Sequence, residues 1–370
     1  MEKKINYARK SKKRISAVDA LTEAQKIAFA PFTFQVVAAL LEFNLLKSLN
    51  QAPKSKKELE KDCNISRYAL DTLFDAALCI GLVEKDENGV YSNTKLADAF
   101  LFDEMTRVNF NFMKDVCCKG ALELVDSFKE GRPKGLQKHY FESKTIYQVI
   151  TKLPEKMKKS WYEFDHHYSD NCFEEVLGII FQKSPRMICD IGGNTGKFEN
   201  ACLKFNSECE ILMIDLPENI EAAKKNFNTG RCHFLSDGRI PFSGAIPDAV
   251  FMSQFLDCFS VEQILFILNK VAAGINENTR VYILEPFIDN QRFEGAAFAL
   301  SHISLYFTCM ANGNSKMYNE ADMREIIEKS GLKLKTAYHG IGKYDYTLLE
   351  CVKKNGTSLK NRLPAKNGLC

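Results

Sequence analysis

Asp190-Ile191-Gly192-Gly193-Asn194-Thr195-Gly196 places three glycines between a short apolar run and a helical one. Glycines at such a junction let a ligand approach the backbone closely. In open α/β sheets, ligands bind at the carboxyl ends of the strands. The spacing G-G-x-x-G is not the dinucleotide G-x-G-x-x-G, and no G-K-[ST] follows to make a phosphate loop. Two more acids close the next two apolar runs, Asp215 at the end of ECEILMIDL and Asp237 after CHFLS. An acid at the second strand end can accept both ribose hydroxyls of a nucleoside, and one at the third can meet an adenine amino group. Three carboxylates on successive strand ends would converge on one crevice; the alternative is that they cap helices or turns.

Such convergence needs strands that alternate with helices. Residues 186–192, 208–216, 232–235, 248–256 and 280–287 read as short buried strands. Helices follow Gly196, start at Pro217, start at Ser260 with Gln263 as its capping partner, and run from about Glu320 to Ser330. This alternation predicts βαβ units and a mainly parallel sheet. Residues 332–338 and 346–352 have no helix between them and should pair as an antiparallel hairpin, which makes seven strands. The first hundred residues follow another pattern. A strongly apolar segment around Phe29–Leu46 is interrupted near Pro31, and Ser55 and Ser66 open two further helices. A hairpin then turns at Glu87-Asn88-Gly89. Helices followed by a two-stranded wing make a winged-helix pattern.

A winged helix often binds DNA, but the helix after Ser66 carries Arg67 and then Asp71 and Asp75. Phosphate contacts need several cations on one face. Fifty Lys and Arg against 47 Asp and Glu give a net charge of +3, which offers no general attraction for nucleic acid or acidic lipid. The apolar segment points instead to subunit association. No apolar run reaches the ~18 residues that span a bilayer, so no membrane partner is expected. The basic first 14 residues lack the pattern of a secretory signal. The 13 cysteines include no C-x-x-C pair and fall largely in apolar runs, which points to a reducing cytoplasm. No His, Cys or Asp cluster has metal-ligand spacing, so no metal is expected.

The pieces DIGGNTG at Asp190, DLPENIE at Asp215, SDGRIPFSGAIPDAV at Ser236, YILEPF at Tyr282 and FDHHYSD at Phe164, in that combination, resemble the class I S-adenosylmethionine-dependent O-methyltransferases of the caffeate and hydroxyindole type. The resemblance spans about residues 20–352. It implies a Rossmann-like seven-stranded methyltransferase sheet with an N-terminal, mostly helical winged-helix dimerisation domain. The implied organisation is a dimerisation domain over 15–105, linking and cavity helices over 106–182, a cofactor-binding catalytic domain over 183–353 and a polar tail over 354–370. It also implies a cytoplasmic homodimer that uses S-adenosyl-L-methionine to methylate a small aromatic acceptor. By resemblance, Gly192, Gly193 and Gly196 border the methionine part of the cofactor, and Asp190 is a further cofactor-binding residue. Asp215 and Leu216 hold the ribose, and Asp237 and Gly238 meet the adenine. Ser253, Phe164 and Ser169 complete the cofactor contacts.

One departure bears on the chemistry. The family carries a His general base in an L-H-D-W-S pattern, where this chain has Leu256-Asp257-Cys258-Phe259-Ser260. The partner acid, Glu285, is present. Proton transfer from a phenol to an ordinary Asp is about 2.6 pKa units worse than to His, or roughly 3.5 kcal/mol. Burial could offset this by raising the Asp pKa. His166, His167 and His302 are the other candidate bases, and adjacent helical positions such as 166 and 167 cannot both face one cavity. Tyr168, Phe298, Tyr306 and Met310, together with His166, would line the acceptor pocket. The altered base keeps open aromatic C-methylation, other cofactor-assisted chemistry on the same fold, or binding without catalysis.

Overall fold

Ser16, Ser55 and Ser66 each accept a hydrogen bond from the backbone N–H three residues on, and each starts a helix. The computed structural model describes residues 15–227, 230–236 and 246–355. They fall into two units, one ending at Val116 and the other starting at Cys117.

The first unit runs α1 (Ala17–Ala28), α2 (Ala30–Glu42), α3 (Leu45–Gln51), β1 (Lys54–Ser55), α4 (Lys56–Cys63), α5 (Arg67–Cys79), β2 (Val83–Lys85), β3 (Val90–Asn93), α6 (Lys95–Phe102) and α7 (Glu104–Phe112). The expected hairpin gains a third, two-residue strand, giving the order β1-β3-β2. Gly81 closes the second expected helix region at φ +74°, a conformation open to glycine at little steric cost. Leu40, Leu45, Leu46, Leu59, Leu70, Phe74 and Leu82 are fully buried and form one core. Arg67 on α5 is bonded to Asp71, which also takes Lys56. The apolar segment does not all go inside. α1 and α2 meet at Phe29 with a 61° bend, and Val18, Leu21, Ile27, Phe29 and Phe32 stay exposed. Among the described residues no single helix is long and apolar enough to cross a membrane, although this bent pair passes by length and composition.

The second unit opens with α8 (Cys118–Ala121), α9 (Leu124–Glu130), α10 (Lys134–His139), α11 (Glu155–Ser169) and α12 (Phe173–Ile180). Then β4 (Met187–Ile191), α13 (Lys197–Phe205), β5 (Glu210–Ile214), α14 (Pro217–Lys224), β6 (Cys232–Leu235), β7 (Ala249–Ser253), α15 (Val261–Gly274) and β8 (Arg280–Glu285) alternate. α16 (Glu294–Tyr306), α17 (Glu320–Lys329), β9 (Leu332–Ile341) and β10 (Tyr346–Lys353) finish it. The sheet has seven strands in the order β6-β5-β4-β7-β8-β10-β9, parallel from β6 to β8 and antiparallel through the final hairpin. α15 buries Ile264, Ile267, Leu268 and Val271, the one-sided spacing of a helix laid on a sheet. Parallel pairing sends the carboxyl ends of β4, β5, β6, β7 and β8 to one edge. β4 lies between β5 and β7, so its end sits where the strand order reverses, the place where such sheets leave a crevice.

Gly120 and Gly135 let two short helices touch backbone to backbone. A Cβ on Gly135 would fall 2.5 Å from the Gly120 Cα and 2.7 Å from the Cys309 carbonyl oxygen, and neither can swing aside. Gly135→Ala should therefore lower stability by roughly 1–3 kcal/mol. Gly178 on α12 has nothing within 4 Å of a Cβ and serves as the control. Gly178→Ala should be neutral or add up to about 1 kcal/mol by helix propensity. Urea unfolding of the two variants checks the contrast, which equal midpoints would contradict.

Candidate active site

β4 carries Asp190 as its penultimate residue, and the chain then turns through Gly192 (φ +89°), Gly193, Asn194 (φ +52°) and Gly196 (φ +83°) into α13. Each glycine is required by close approach. A Cβ at Gly192 would lie 2.5 Å from the Phe255 ring, and one at Gly196 2.3 Å from the Phe227 ring. At Gly193 it would lie 2.4 Å from Glu199 Oε1 and 2.9 Å from Asp190 Oδ2. Beneath the turn, two carboxyl groups thus face each other. Burial pushes both upward from the ordinary carboxylate range, and the charge of Asp190 adds to the rise at Glu199, while the hydrogen bond with Glu199 pulls Asp190 partly back.

Asp215, just past β5, accepts the Asn194 N–H at 2.7 Å on one oxygen. Its other oxygen accepts the Leu216 N–H at 2.6 Å and the Asn219 side-chain amide at 2.8 Å. A carboxylate has about four acceptor directions. One is left, so gripping two ribose hydroxyls at once requires Asn194 or Asn219 to let go. The Asn194 side chain donates at 2.6 Å to Asp165 on α11, which ties the glycine turn to the helix of FDHHYSD. Burial and the charge of Asp257 push Asp165 up to about 7. Lys197 pairs with Asp170.

β7 ends in Ser253, and Gln254 follows at φ +47°. Left-handed backbone is uncommon for such a side chain and marks a sharply turned strand end. The chain then makes a single 3₁₀ turn, Leu256–Cys258. Glu285 at the end of β8 accepts the Leu256 N–H at 2.9 Å and so holds the turn. The Asn312 amide donates to the Cys258 carbonyl at 2.7 Å, and the Tyr318 hydroxyl to the Phe259 carbonyl at 2.7 Å. The Tyr147 hydroxyl donates to the Cys258 sulfur at 3.1 Å. Asp257, 5% exposed, is fixed from several sides, while its Oδ1 and Glu285 Oε2 have no hydrogen-bond partner among the described residues. Burial raises Asp257 to about 6, and burial together with the charge of Asp257 raises Glu285 well above the ordinary carboxylate range.

The aromatic residues divide. Trp161 Nε1 donates to the buried Tyr306 hydroxyl at 2.7 Å, and the ring of Phe164 lies 5.1 Å from that of Tyr168. The Tyr346 hydroxyl donates to the Tyr168 carbonyl at 2.7 Å. Met310 is fully buried and seated against Gly120, a packing position. His166 lies against Tyr162, and its pKa is lowered by burial and by Lys197. His167 Nε2 is 2.5 Å from the Tyr344 hydroxyl. His302 is exposed, bonded to the Phe298 carbonyl of its own helix and stacked on the exposed Phe298 ring at 3.9 Å. These contacts bring neither His302 nor Phe298 to the buried carboxyls. Asp237 and Gly238 lie outside the described residues, as does the side chain of Ser169.

Asp165, Asn194, Glu199 and Tyr147 are site residues that sequence reasoning missed. Only Glu199 left a signal, an acid at a position of α13 that buries Phe198 and Cys202 on either side. Whether S-adenosylmethionine suits the crevice can be judged from its polar atoms. Ser253 Oγ and Gln254 Nε2 are buried at the end of β7 with no hydrogen-bond partner among the described residues, and any side chain at Gly193 would collide with the Glu199 and Asp190 carboxyls. Asp190, Asp215 and Asp257 bring carboxyls to this edge, where a cationic group could be received. Among the described residues no three His, Cys, Asp or Glu gather to hold a metal.

Comparison with known proteins gives the same architecture. Residues 122–333 match the O-methyltransferase domain, and residues 22–89 match the Dimerisation2-like domain. Acetylserotonin O-methyltransferase of Bos taurus is 22% identical over 332 residues, covering 85% of this chain and 93% of its own. The mitomycin 7-O-methyltransferase MmcR has the same fold, with a TM-score of 0.70 at 16% identity over 91% of this chain and 98% of its own. So does NcsB1, an O-methyltransferase from neocarzinostatin biosynthesis solved with S-adenosylmethionine and 2-hydroxy-5-methyl naphthoic acid, at a TM-score of 0.64 and 19% identity over 87% and 96%. With over half of its length inside the domain match, this chain belongs to the S-adenosylmethionine-dependent O-methyltransferase family.

Proposed function

We propose that the protein methylates a hydroxyl of a small aromatic acceptor, with Asp257 as the general base and Glu285 as the residue that positions it. The observation that carries this reading is the Asp257 carboxyl, buried, pinned through its turn and left with one oxygen unbonded. S-adenosylmethionine, when bound, supplies a methyl group on a cationic sulfur. The chain does the rest. Gly192, Gly193 and Gly196 give backbone access, Asp215 and Leu216 take the ribose, and Ser253 and Gln254 offer unpaired polar atoms. Phe164, Tyr168 and Tyr306 shape the acceptor side. Asp257 accepts the hydroxyl proton as the acceptor oxygen bonds to the methyl carbon. A carboxyl raised to about 6 is ionised at neutral pH and is a stronger base than an ordinary aspartate.

Methyl transfer from labelled S-adenosylmethionine to a panel of small phenols, read by mass spectrometry, tests the reading. Turnover should rise with pH through about 6 as Asp257 loses its proton, then level. Asp257→Asn keeps the shape, and it should cut kcat by at least about 100-fold and remove that rise. Full activity in the variant would remove Asp257 as the base.

The same reading makes the protein a cytoplasmic homodimer joined through its first unit. The Dimerisation2-like match and the exposed α1–α2 face support the dimer. The free cysteines of the described residues support the compartment. The chain should sediment at twice its 42.0 kDa. Phe29→Glu with Phe32→Glu, which puts charge on that face, should shift it to the monomer; a native monomer would refute the assignment.

A further inference from the structure

Asp190 and Glu199 have no part in the acid–base step above, yet they are 2% and 0% exposed. They come from different elements, β4 and α13, and meet under Gly193. Among the described residues, neither oxygen of Glu199 has a donor. Two carboxyl groups in contact can be joined only by a proton shared between them, because each otherwise offers lone pairs alone. Other groups give them little help. Asp215, from the end of β5, adds negative charge. The thiols around the pair are Cys189 on β4, Cys202 on α13 and Cys232 on β6; burial lifts Cys189 and Cys232, and hydrogen bonding to Cys209 lifts Cys202, so none becomes an anion near neutrality. The lysine of the turn, Lys197, is paired with Asp170. A buried acid pair with no counter-cation keeps a proton at neutral pH.

The pair lies directly below the turn that, on the reading proposed above, faces the methionine part of the cofactor. The cofactor and its demethylated product differ there in one respect besides the methyl group. Sulfur carries a positive charge in S-adenosylmethionine and none in S-adenosylhomocysteine, while the adenosyl and amino-acid parts are common to both. A nearby cation favours the ionised form of a carboxyl, and a neutral thioether does not.

We propose that Asp190 and Glu199 form a proton-sharing pair that tells the sulfonium cofactor from its thioether product, releasing a proton to solvent when the cation binds and taking one back once the methyl has left. The sulfur–methyl bond breaks with its electron pair kept by sulfur, so the charge that held the pair ionised vanishes in the same step. The product is then left over a pair that prefers to be protonated, and its hold weakens relative to fresh cofactor. By linkage, cofactor affinity rises with pH wherever binding releases a proton, by at most about tenfold per pH unit for one proton. Product affinity does not follow. The ratio of product to cofactor Kd therefore grows with pH. Ionisation of the shared amino group cancels in that ratio.

Isothermal titration with each nucleoside separately, at about pH 6, 7 and 8 and in two buffers of different ionisation enthalpy, tests this. In the native protein, S-adenosylmethionine should release measurably more protons than S-adenosylhomocysteine at neutral pH. The Kd ratio should rise several-fold from about pH 6 to about pH 8. Glu199→Gln, which cannot ionise, should abolish the proton difference and flatten the ratio; Asp190→Asn should do the same. Equal proton release by the two nucleosides in the native protein overturns the proposal whatever the variants do, and so does a difference that survives in Glu199→Gln. If both nucleosides bind with equal proton release, only this proposal falls. If neither binds, the proposed cofactor crevice falls with it.

Discussion

A carboxyl group taken out of water must find a counter-charge or keep its proton. The carboxyl edge of this sheet removes water from Asp190, Glu199, Asp257 and Glu285 together, and each is at most 5% exposed. All four are pushed upward by burial, and none is bonded to a Lys or Arg among the hydrogen bonds and ion pairs described above. Isolated charges of this kind would cost several kcal/mol each. Their arrangement in two contacting or neighbouring pairs, each able to hold a proton, is what makes the edge tolerable to the fold. It also makes the edge sensitive to any cation placed over it. The phenols of Tyr147, Tyr306, Tyr318 and Tyr346 are raised by burial as well and stay protonated, so Tyr147, Tyr318 and Tyr346 donate hydrogen bonds, and Tyr306 accepts one from Trp161, without adding charge.

The fold brings these groups together by backbone means. Parallel pairing aligns the ends of β4, β7 and β8, and glycines let side chains crowd onto the turn from both sides. Gly192 takes the Phe255 ring, which follows β7, and Gly193 takes the two carboxyls. The turn that carries Asp257 is held by Glu285 from the next strand and by Asn312 and Tyr318 from beyond α16. A carboxyl whose backbone is anchored from separate elements cannot swing out to solvent. Its raised pKa is then a property of the packing and not of one contact.

Much of this was legible in the sequence. Alternating runs fixed the strands, and the absence of a helix between the last two runs identified the antiparallel hairpin. Capping pairs at Ser55 and Ser260 marked helix starts that the structure has. The rest was hidden for physical reasons. The two-residue strand Lys54–Ser55 is too short to show a period, and pairing with β3 alone defines it. Asp165 and Asn194 lie 29 residues apart, so their bond reflects how α11 folds over the turn. The three glycines were read as room for a ligand, but two of them are also required by protein aromatic rings. His302 lies in a largely apolar helix, yet its own position on α16 is exposed, because a helix buried along one stripe leaves the opposite residues outside.

The replacement of a histidine by Asp257 changes the charge balance of the proposed reaction. A histidine base begins neutral and ends as a cation, so transfer from a sulfonium would move one positive charge across a low-dielectric cavity. Asp257 begins as an anion and ends neutral. Over the same step the sulfur loses its charge, so two opposite charges disappear where keeping them apart is most expensive. The weaker intrinsic basicity of a carboxylate, roughly 3.5 kcal/mol against an imidazole, is the cost of that exchange. It shrinks as burial raises Asp257 to about 6, close to the ordinary imidazole value. Burial thus supplies basicity and favours neutralisation at once, and the charge of Asp257 adds to the burial that raises Glu285 on the next strand.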